Sequence, residues 1–199
     1  MREFSIYTVI IITLIIMVRY ILLLVRKEIK PSLAMWFFFS VAIIMSLITY
    51  ESYGNYGLLD NIMNTADLIY VVTISVAIII FGDKSSKFTR FDKGCLVAVL
   101  VILFFWIFTQ NHIITNILMQ AVLIIAYFPV VKRLLDSKEN TEPFSVWIGM
   151  LLAPSIALIS SKGILAIIYS VRAIICVSLL LLLMLRVEIL NREKKQQGY

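Results

Sequence analysis

The chain has 199 residues, 61% of them hydrophobic and 15% charged, with a formal net charge of +6 and a mean hydropathy of +0.98. Soluble globular chains are about half apolar, so this composition excludes an ordinary soluble domain and calls for lipid-facing surface. The positive balance would suit nucleic acid in a soluble protein, but here the charges fall between apolar runs, and no nucleic-acid partner is expected.

A helix needs roughly 20 apolar residues to cross the hydrocarbon core. In chain order the predicted spans cover 4–25, 33–50, 62–82, 94–109, 113–131, 144–160 and 164–185. The fourth is the shortest. The stretch 94–131 is broken only by Thr109-Gln110-Asn111-His112; it is too long for one crossing and reads as two helices with a tight turn. The first run does not read as a cleavable signal peptide, because Arg19 interrupts it and no small-residue cleavage site follows. Arg19 lies near the end of its span, where a long side chain snorkels to the interface.

The loops divide by charge. Arg26, Lys27 and Lys30 lie in the first, Lys84, Lys87, Arg90 and Lys93 in the third, and Lys132, Arg133 and Lys138 in the fifth; Arg186, Arg192, Lys194 and Lys195 follow the last span. The second loop offers only Glu51 and Asp60, the fourth has no Lys or Arg, and the sixth has only Lys162. The positive-inside rule makes the basic loops cytoplasmic. The expectation is an integral membrane protein with its N-terminus outside and its C-terminus in the cytoplasm. Tyr50, Tyr53, Tyr56 and Trp106 then fall near the outer interface, and Trp36 and Trp147 near the inner one, as aromatic belts do. Cys95 and Cys176 have no CxxC partner and read as small buried apolar residues.

The first and last thirds look alike. One span ends in Val25-Arg26-Lys27 and is followed by Pro31-Ser32-Leu33-Ala34-Met35-Trp36; another ends in Lys132-Arg133 and is followed by Glu142-Pro143-Phe144-Ser145-Val146-Trp147. The spans these tryptophans open end outside in Leu47-Ile48-Thr49 and Leu158-Ile159-Ser160. Two three-helix units run in the same direction only if a single helix between them restores polarity, which gives the fourth span a reason to exist. The predicted fold is an all-α membrane protein of seven transmembrane helices in a 3+1+3 arrangement of two parallel three-helix repeats. Its parts are a first unit over 1–82, a cytoplasmic loop and linker helix over 83–112, a second unit over 113–186 and a cytoplasmic tail over 187–199.

That order, with the segment from Gln120 to Trp147 (QAVLIIAYFPVVKRLLDSKENTEPFSVW), resembles the SWEET sugar transporters and the wider PQ-loop superfamily. Gln120 matches the family's early glutamine and Pro129 its proline, while Val130 stands where the second glutamine belongs. Pro129 and Pro154 fill hinge positions. Asn64 matches a pocket asparagine of the first unit, and Arg172 occupies the corresponding place in the second. The resemblance implies a passive or proton-linked carrier of a sugar or sugar-like metabolite, without a cofactor.

The residues themselves point the same way. An ionised Asp or Arg at a helix centre costs about 2.5–3.5 kcal/mol on insertion scales. Asp67 and Arg172 each lie about two turns into an outside-to-inside span, so a charge pair facing a central cavity is expected. Asn61, Asn64 and Asp67 follow one face of the third span; Asn116 and Gln120 share a face of the fifth; Tyr169, Arg172 and Cys176 share one of the seventh. Such stripes suit either a hydrated site or interhelical hydrogen bonds. The candidate solute-binding residues are therefore Asn64, Asp67, Asn116, Gln120, Tyr169 and Arg172, with Trp106 and Trp147 as candidate stacking residues. The expected partners are a small polar solute and the lipid bilayer, with a homo-oligomer left open. A second reading is a SWEET-fold receptor or scaffold in which Arg172 reads the carboxylate of a peptide. An enzyme is not expected: the sequence has no paired carboxylates, no Cys-His arrangement and no metal-ligand spacing, and His112 falls in an outer turn. Lys162 lies at the outer end of the last span, which argues against a retinal Schiff base.

Overall fold

The computed structural model describes residues 1–29, 31, 33–82, 90–136, 140 and 142–196. Lys30, Lys84, Lys87 and Lys138, counted above among the basic loop residues, lie outside that set, as does part of the expected linker region 83–112. Among the described residues all regular structure is helical. The elements are α1 (Arg2–Val25), α2 (Leu33–Tyr53), a 3-10 turn (Leu58–Asn61), α3 (Ile62–Phe81), α4 (Arg90–Thr109), α5 (His112–Ile125), α6 (Phe128–Asp136), α7 (Phe144–Ala157) and α8 (Ile164–Gln196).

The stretches Arg2–Val25, Trp36–Tyr53, Leu58–Phe81 and Ile164–Asn191 are long and apolar enough to cross a membrane; Leu96–Thr109, His112–Ile125 and Phe144–Ala157 are apolar but shorter. Large apolar side chains cover the outside of the bundle, among them Ile15 on α1, Ile79 on α3, Phe104 on α4 and Leu182 on α8. A water-facing surface would expose no such continuous cover, so the exterior fits an integral membrane protein.

Helix ends follow local chemistry. Asn61 caps α3 by accepting from the Asn64 N–H, and Asn111 caps α5 by accepting from the Ile114 N–H. Lys27 (φ 59) ends α1, and Gln110 (φ 49) makes the tight turn from α4 to α5, both in the left-handed region. Two boundaries differ from expectation. The predicted fifth span is not one helix: α5 stops at Ile125 and α6 begins at Phe128. Pro129 has no N–H to offer the Ile125 carbonyl, so the helical hydrogen bond that would span the junction is missing, and the helix is interrupted at Ala126-Tyr127. The last helix is also longer than its predicted span. Its 33 residues amount to about 50 Å, against a hydrocarbon core of about 30 Å. The segment 187–196 is therefore a continuation of α8. Val130 and Leu134 of α6 pack there against Leu180, Met184 and Val187.

In the bundle, α3 packs against both α1 and α2, and α8 packs against both α7 and α5. The α2–α5 and α1–α7 seams join these groups, α3 touches α8, and α4 lies against α5 and α2. Gly149, Ala153 and Ala157 form a row of small buried residues along α7. A side chain at Gly149 would run into Ile16 of α1 and touch Ile12. Close approach through small residues is how apolar helices associate in lipid, where burial alone supplies no drive. Gly149→Leu should lower the thermal melting point of the detergent-solubilised protein, by the equivalent of about 1–3 kcal/mol of overpacking. Gly149→Ala should do less but still destabilise, because its Cβ alone meets the Cγ2 of Ile16, a buried β-branched side chain with little rotamer freedom in a helix. Equal melting of Gly149→Leu and the parent would show that α1 and α7 do not meet there.

Candidate functional site

A cavity of about 510 Å³ runs into the bundle between α1, α2, α3, α5, α7 and α8. Its walls are graded. Asp67 of α3 and Arg172 of α8 line the inner part. Both helices start at the end that carries Asp60 and Lys162, so both charges lie within a few turns of that end. Further along come the rings of Tyr20, Trp36, Phe39, Tyr70, Tyr127 and Trp147, and then Lys27, Glu28 and Glu142 at the mouth. Lys27 and Glu28 are exposed, so the cavity opens at this end, where the chain leaves α1 and enters α7.

The rings form a connected collar. Centroids are 5.2 Å apart for Tyr20–Trp36, 5.7 Å for Trp36–Tyr70, 6.1 Å for Trp36–Phe39, 5.8 Å for Phe39–Tyr127 and 6.1 Å for Tyr127–Trp147. Most meet edge-on or tilted, as ring quadrupoles prefer. The Trp147 Nε1 donates to Glu142 Oε2 at 3.1 Å and so fixes that ring at the mouth.

The opposite end is closed. Asp60 accepts from Arg2 of α1 and lies 2.9 Å from the Lys162 ammonium. The Lys162 N–H donates to the Asp60 carbonyl at 2.9 Å, and the Tyr50 hydroxyl donates to the Lys162 carbonyl at 2.9 Å. Tyr56 stacks on Tyr50 with centroids 5.0 Å apart. Ser5 of α1 donates to the Ile156 carbonyl at 2.7 Å and lies 3.0 Å from the Ser160 hydroxyl.

Asp67 and Arg172 both line the cavity, but the expected charge pair is not formed: among the described residues no ion pair joins them. Tyr169 stands between them. Its hydroxyl donates to Asp67 Oδ2 at 2.8 Å, and its ring lies 4.7 Å beneath the Arg172 guanidinium carbon. A tyrosine one turn before the arginine on α8 can serve both groups, and the sequence stripe Tyr169–Arg172 reflects that spacing. Arg172 Nε donates instead to Gln120 Oε1 at 3.2 Å.

Gln120 leads into a buried network centred on Ser46 of α2. Ser46 Oγ accepts from Gln120 Nε2 and from Asn64 Nδ2, each at 2.9 Å. Asn116 Nδ2 donates to the Ser46 carbonyl at 2.8 Å and to Thr49 Oγ1 at 3.0 Å. Asn64, Asn116 and Gln120 thus lie behind the cavity wall and are not among its lining residues. Tyr169 is fully buried behind the two charges it contacts.

Of the stacking candidates, Trp147 lines the cavity and Trp106 does not. Trp106 lies at the α4–α5 turn, where its Nε1 donates to His112 Nδ1 at 3.2 Å; a helix that packs on the outside of α5 and α2 cannot deliver a ring to the centre. Pro154 is buried within α7, and Pro129 follows the bend beside Tyr127. Sequence reasoning missed Tyr20, Trp36, Tyr70 and Glu142 as lining residues and Ser46 as the centre of the network. Tyr20 and Tyr127 each precede a basic pair by a few residues, a spacing that could have marked them. Among the described residues no group of three His, Cys, Asp or Glu side chains gathers as metal ligands would. No family model, no curated protein and no solved structure matches the chain.

Ser46→Ala removes the acceptor shared by Asn64 and Gln120 and leaves buried amide donors unpaired. An unsatisfied buried group costs about 1–3 kcal/mol, more than the roughly 0.6 kcal/mol average for one interhelical hydrogen bond in lipid. The variant should melt measurably below the parent in detergent, and Ser46→Thr should retain more of the stability. A Ser46→Ala protein as stable as the parent would show that the network contributes little.

Proposed function

We propose that the chain is a membrane transporter in which two parallel three-helix units, α1–α3 and the bent α5/α6 span with α7 and α8, rock about a central solute site, with α4 as the linker that restores polarity. The packing supports the repeat. Exchanging α1 with α5, α2 with α7 and α3 with α8 converts the α2–α5 seam into the α7–α1 seam, and converts α3, packed on α1 and α2, into α8, packed on α5 and α7. The distribution of Lys and Arg supports an orientation with the mouth at Lys27 and Glu142 facing the cytoplasm and the N-terminus outside.

The observation that carries the transport reading is the contrast between the two ends. A cavity lined by opposite charges opens at one end, and the other is held shut by polar links between the two units: Asp60 with Lys162, Tyr50 with the Lys162 carbonyl, and Ser5 with Ser160. The Asp60–Lys162 link is partly exposed, so water can replace its partners and opening it costs little; the Ser5–Ser160 and Tyr50 links are buried, and opening the end must rewet their hydroxyls. That is the arrangement of one state of an alternating-access carrier. Asp67 and Arg172 contact the solute, Gln120, Asn64, Asn116 and Tyr169 position them, and the break before Pro129 and the helix-interior Pro154 absorb the motion. The solute is small and polar. The sugar implied by the family resemblance is one member of that class, and a receptor that binds without transport needs only the one opening.

Proteoliposomes containing Ser5→Cys/Ser160→Cys on a Cys95→Ser/Cys176→Ser background test the reading, with labelled glucose, phenylalanine and benzoate as solutes. At least one should enter faster than into empty liposomes. The Ser hydroxyls are close enough for a disulfide to form between cysteines there. Oxidation should therefore reduce uptake to background, and reduction should restore it. Failure of all three solutes to enter, or uptake unaffected by the oxidised bond, overturns transport by this route; retained binding without uptake leaves the receptor.

A further inference from the structure

The cavity contains two charges of opposite sign that do not pair with each other. Among the described residues Arg172 engages only its Nε, with Gln120, and Asp67 only its Oδ2, with Tyr169. Two other polar groups on the lining are buried without a hydrogen-bond partner: the indole Nε1 of Trp36, a residue 6% exposed, and the hydroxyl of Tyr70, a residue 2% exposed. Unpaired polar groups in an apolar bundle are costly, and those that line a cavity can be paired by what enters it.

We propose that this site takes a zwitterion, an α-amino acid with an aromatic or bulky apolar side chain. Its carboxylate pairs with Arg172, its ammonium with Asp67, and its side chain lies among the rings of Tyr20, Trp36, Phe39 and Tyr127. The proposal deepens the carrier reading and rests on it for the location of the solute site. A neutral sugar would leave both charges without counter-charges. A simple anion would meet Arg172 but be repelled by Asp67, and a simple cation the reverse. A zwitterion neutralises both. A carboxylate has acceptor sites beyond those a guanidinium uses, and these can take the Trp36 indole N–H and the Tyr70 hydroxyl once the rings turn to present them, both atoms being covered in this structure. The guanidinium is planar and suits a carboxylate, and the faces of the collar rings favour an ammonium or an aromatic body.

Equilibrium dialysis of tritiated phenylalanine against the full chain in detergent tests the proposal, with N-acetylphenylalanine, phenylalanine methyl ester and glucose as competitors. Unlabelled phenylalanine should compete roughly tenfold or more better than either blocked form, and glucose should not compete. Arg172→Gln should abolish the preference for phenylalanine over the methyl ester while keeping that over the N-acetyl form; Asp67→Asn should do the opposite. A merely structural role for the two charges would lower stability without this crossed pattern. Where either variant fails to fold, Tyr70→Phe, which keeps the ring and removes only the hydroxyl, should weaken phenylalanine binding severalfold. No binding of phenylalanine, or equal competition by the blocked forms, overturns the proposal. Glucose uptake in proteoliposomes without phenylalanine binding would overturn the ligand and leave the carrier; phenylalanine binding without uptake of any solute would overturn the carrier and leave the ligand.

Discussion

Tyr169 keeps an acid and a guanidinium apart at the centre of an apolar bundle. Its hydroxyl holds Asp67 and its ring supports Arg172. A direct ion pair would have used the charge of each partner internally and joined α3 to α8 with little left for a third party. With the tyrosine between them, each group is held on one side and keeps hydrogen-bonding capacity on the side that faces the cavity. The arrangement depends on support from behind. Arg172 leans on Gln120, Gln120 on Ser46, and Ser46 on Asn64, so one arginine is tied through α5 and α2 back to the helix that carries Asp67. The site is therefore a closed circuit of elements, in which none of the four helices can shift alone without leaving a buried polar atom unpaired.

The gradient along the cavity follows from the same constraint. Charged groups deep in a bundle need fixed partners, and Asp67 and Arg172 have them in tyrosine and glutamine. Nearer the mouth the wall can be apolar, because whatever enters keeps part of its water there. The collar of Tyr20, Trp36, Phe39, Tyr127 and Trp147 occupies that stretch. Two of its members, Tyr20 and Trp36, come from α1 and α2, and two, Tyr127 and Trp147, from the α5–α6 bend and α7. The collar thus draws its rings from helices at both ends of the chain, and on the proposed carrier reading a relative motion of the two units would change its aperture.

Much of this was readable in the chain. Intramembrane charge pointed to Asp67 and Arg172, because a polar group in lipid needs a reason to be there, and both line the cavity. The apolar runs located seven helices, and the proline at position 129 signalled the irregularity that became a bend. The rest was hidden for physical reasons. Helical periodicity places Asn64, Asn116 and Gln120 on inward faces but does not distinguish a surface wet by a solute from a seam between helices; their partner Ser46 carries too small a side chain to stand out in an apolar run. Trp36 and Tyr20 have the composition of an interfacial belt, and only the packing of α2 and α1 on α3 turns them inward. Trp106 failed in the opposite sense: its sequence context allowed stacking, but α4 lies outside the circuit of helices that encloses the cavity. The length of α8 was obscured by a charge pattern that marks the end of a span without marking the end of a helix.

The two seams between the units are built differently, and the difference bears on how a carrier of this architecture would move. The α2–α5 seam is joined by amides that grip the Ser46 carbonyl and hydroxyl and Thr49. The α1–α7 seam sets a small residue, Gly149, against Ile16, and among the described residues its polar links lie at its end, through Ser5. Breaking buried amide bonds leaves donors that no lipid can satisfy, whereas sliding small residues past a methyl surface exchanges one set of dispersion contacts for another. On the carrier reading the bonded seam is therefore the pivot and the α1–α7 seam is the one that opens. On that reading the links lost in opening are Asp60 with Lys162, where water can take the place of either partner, and the buried hydroxyl contact of Ser5 with Ser160. On the same reading a solute bound to Arg172 and Asp67 would pass from one side of the bundle to the other while the network behind it stays intact.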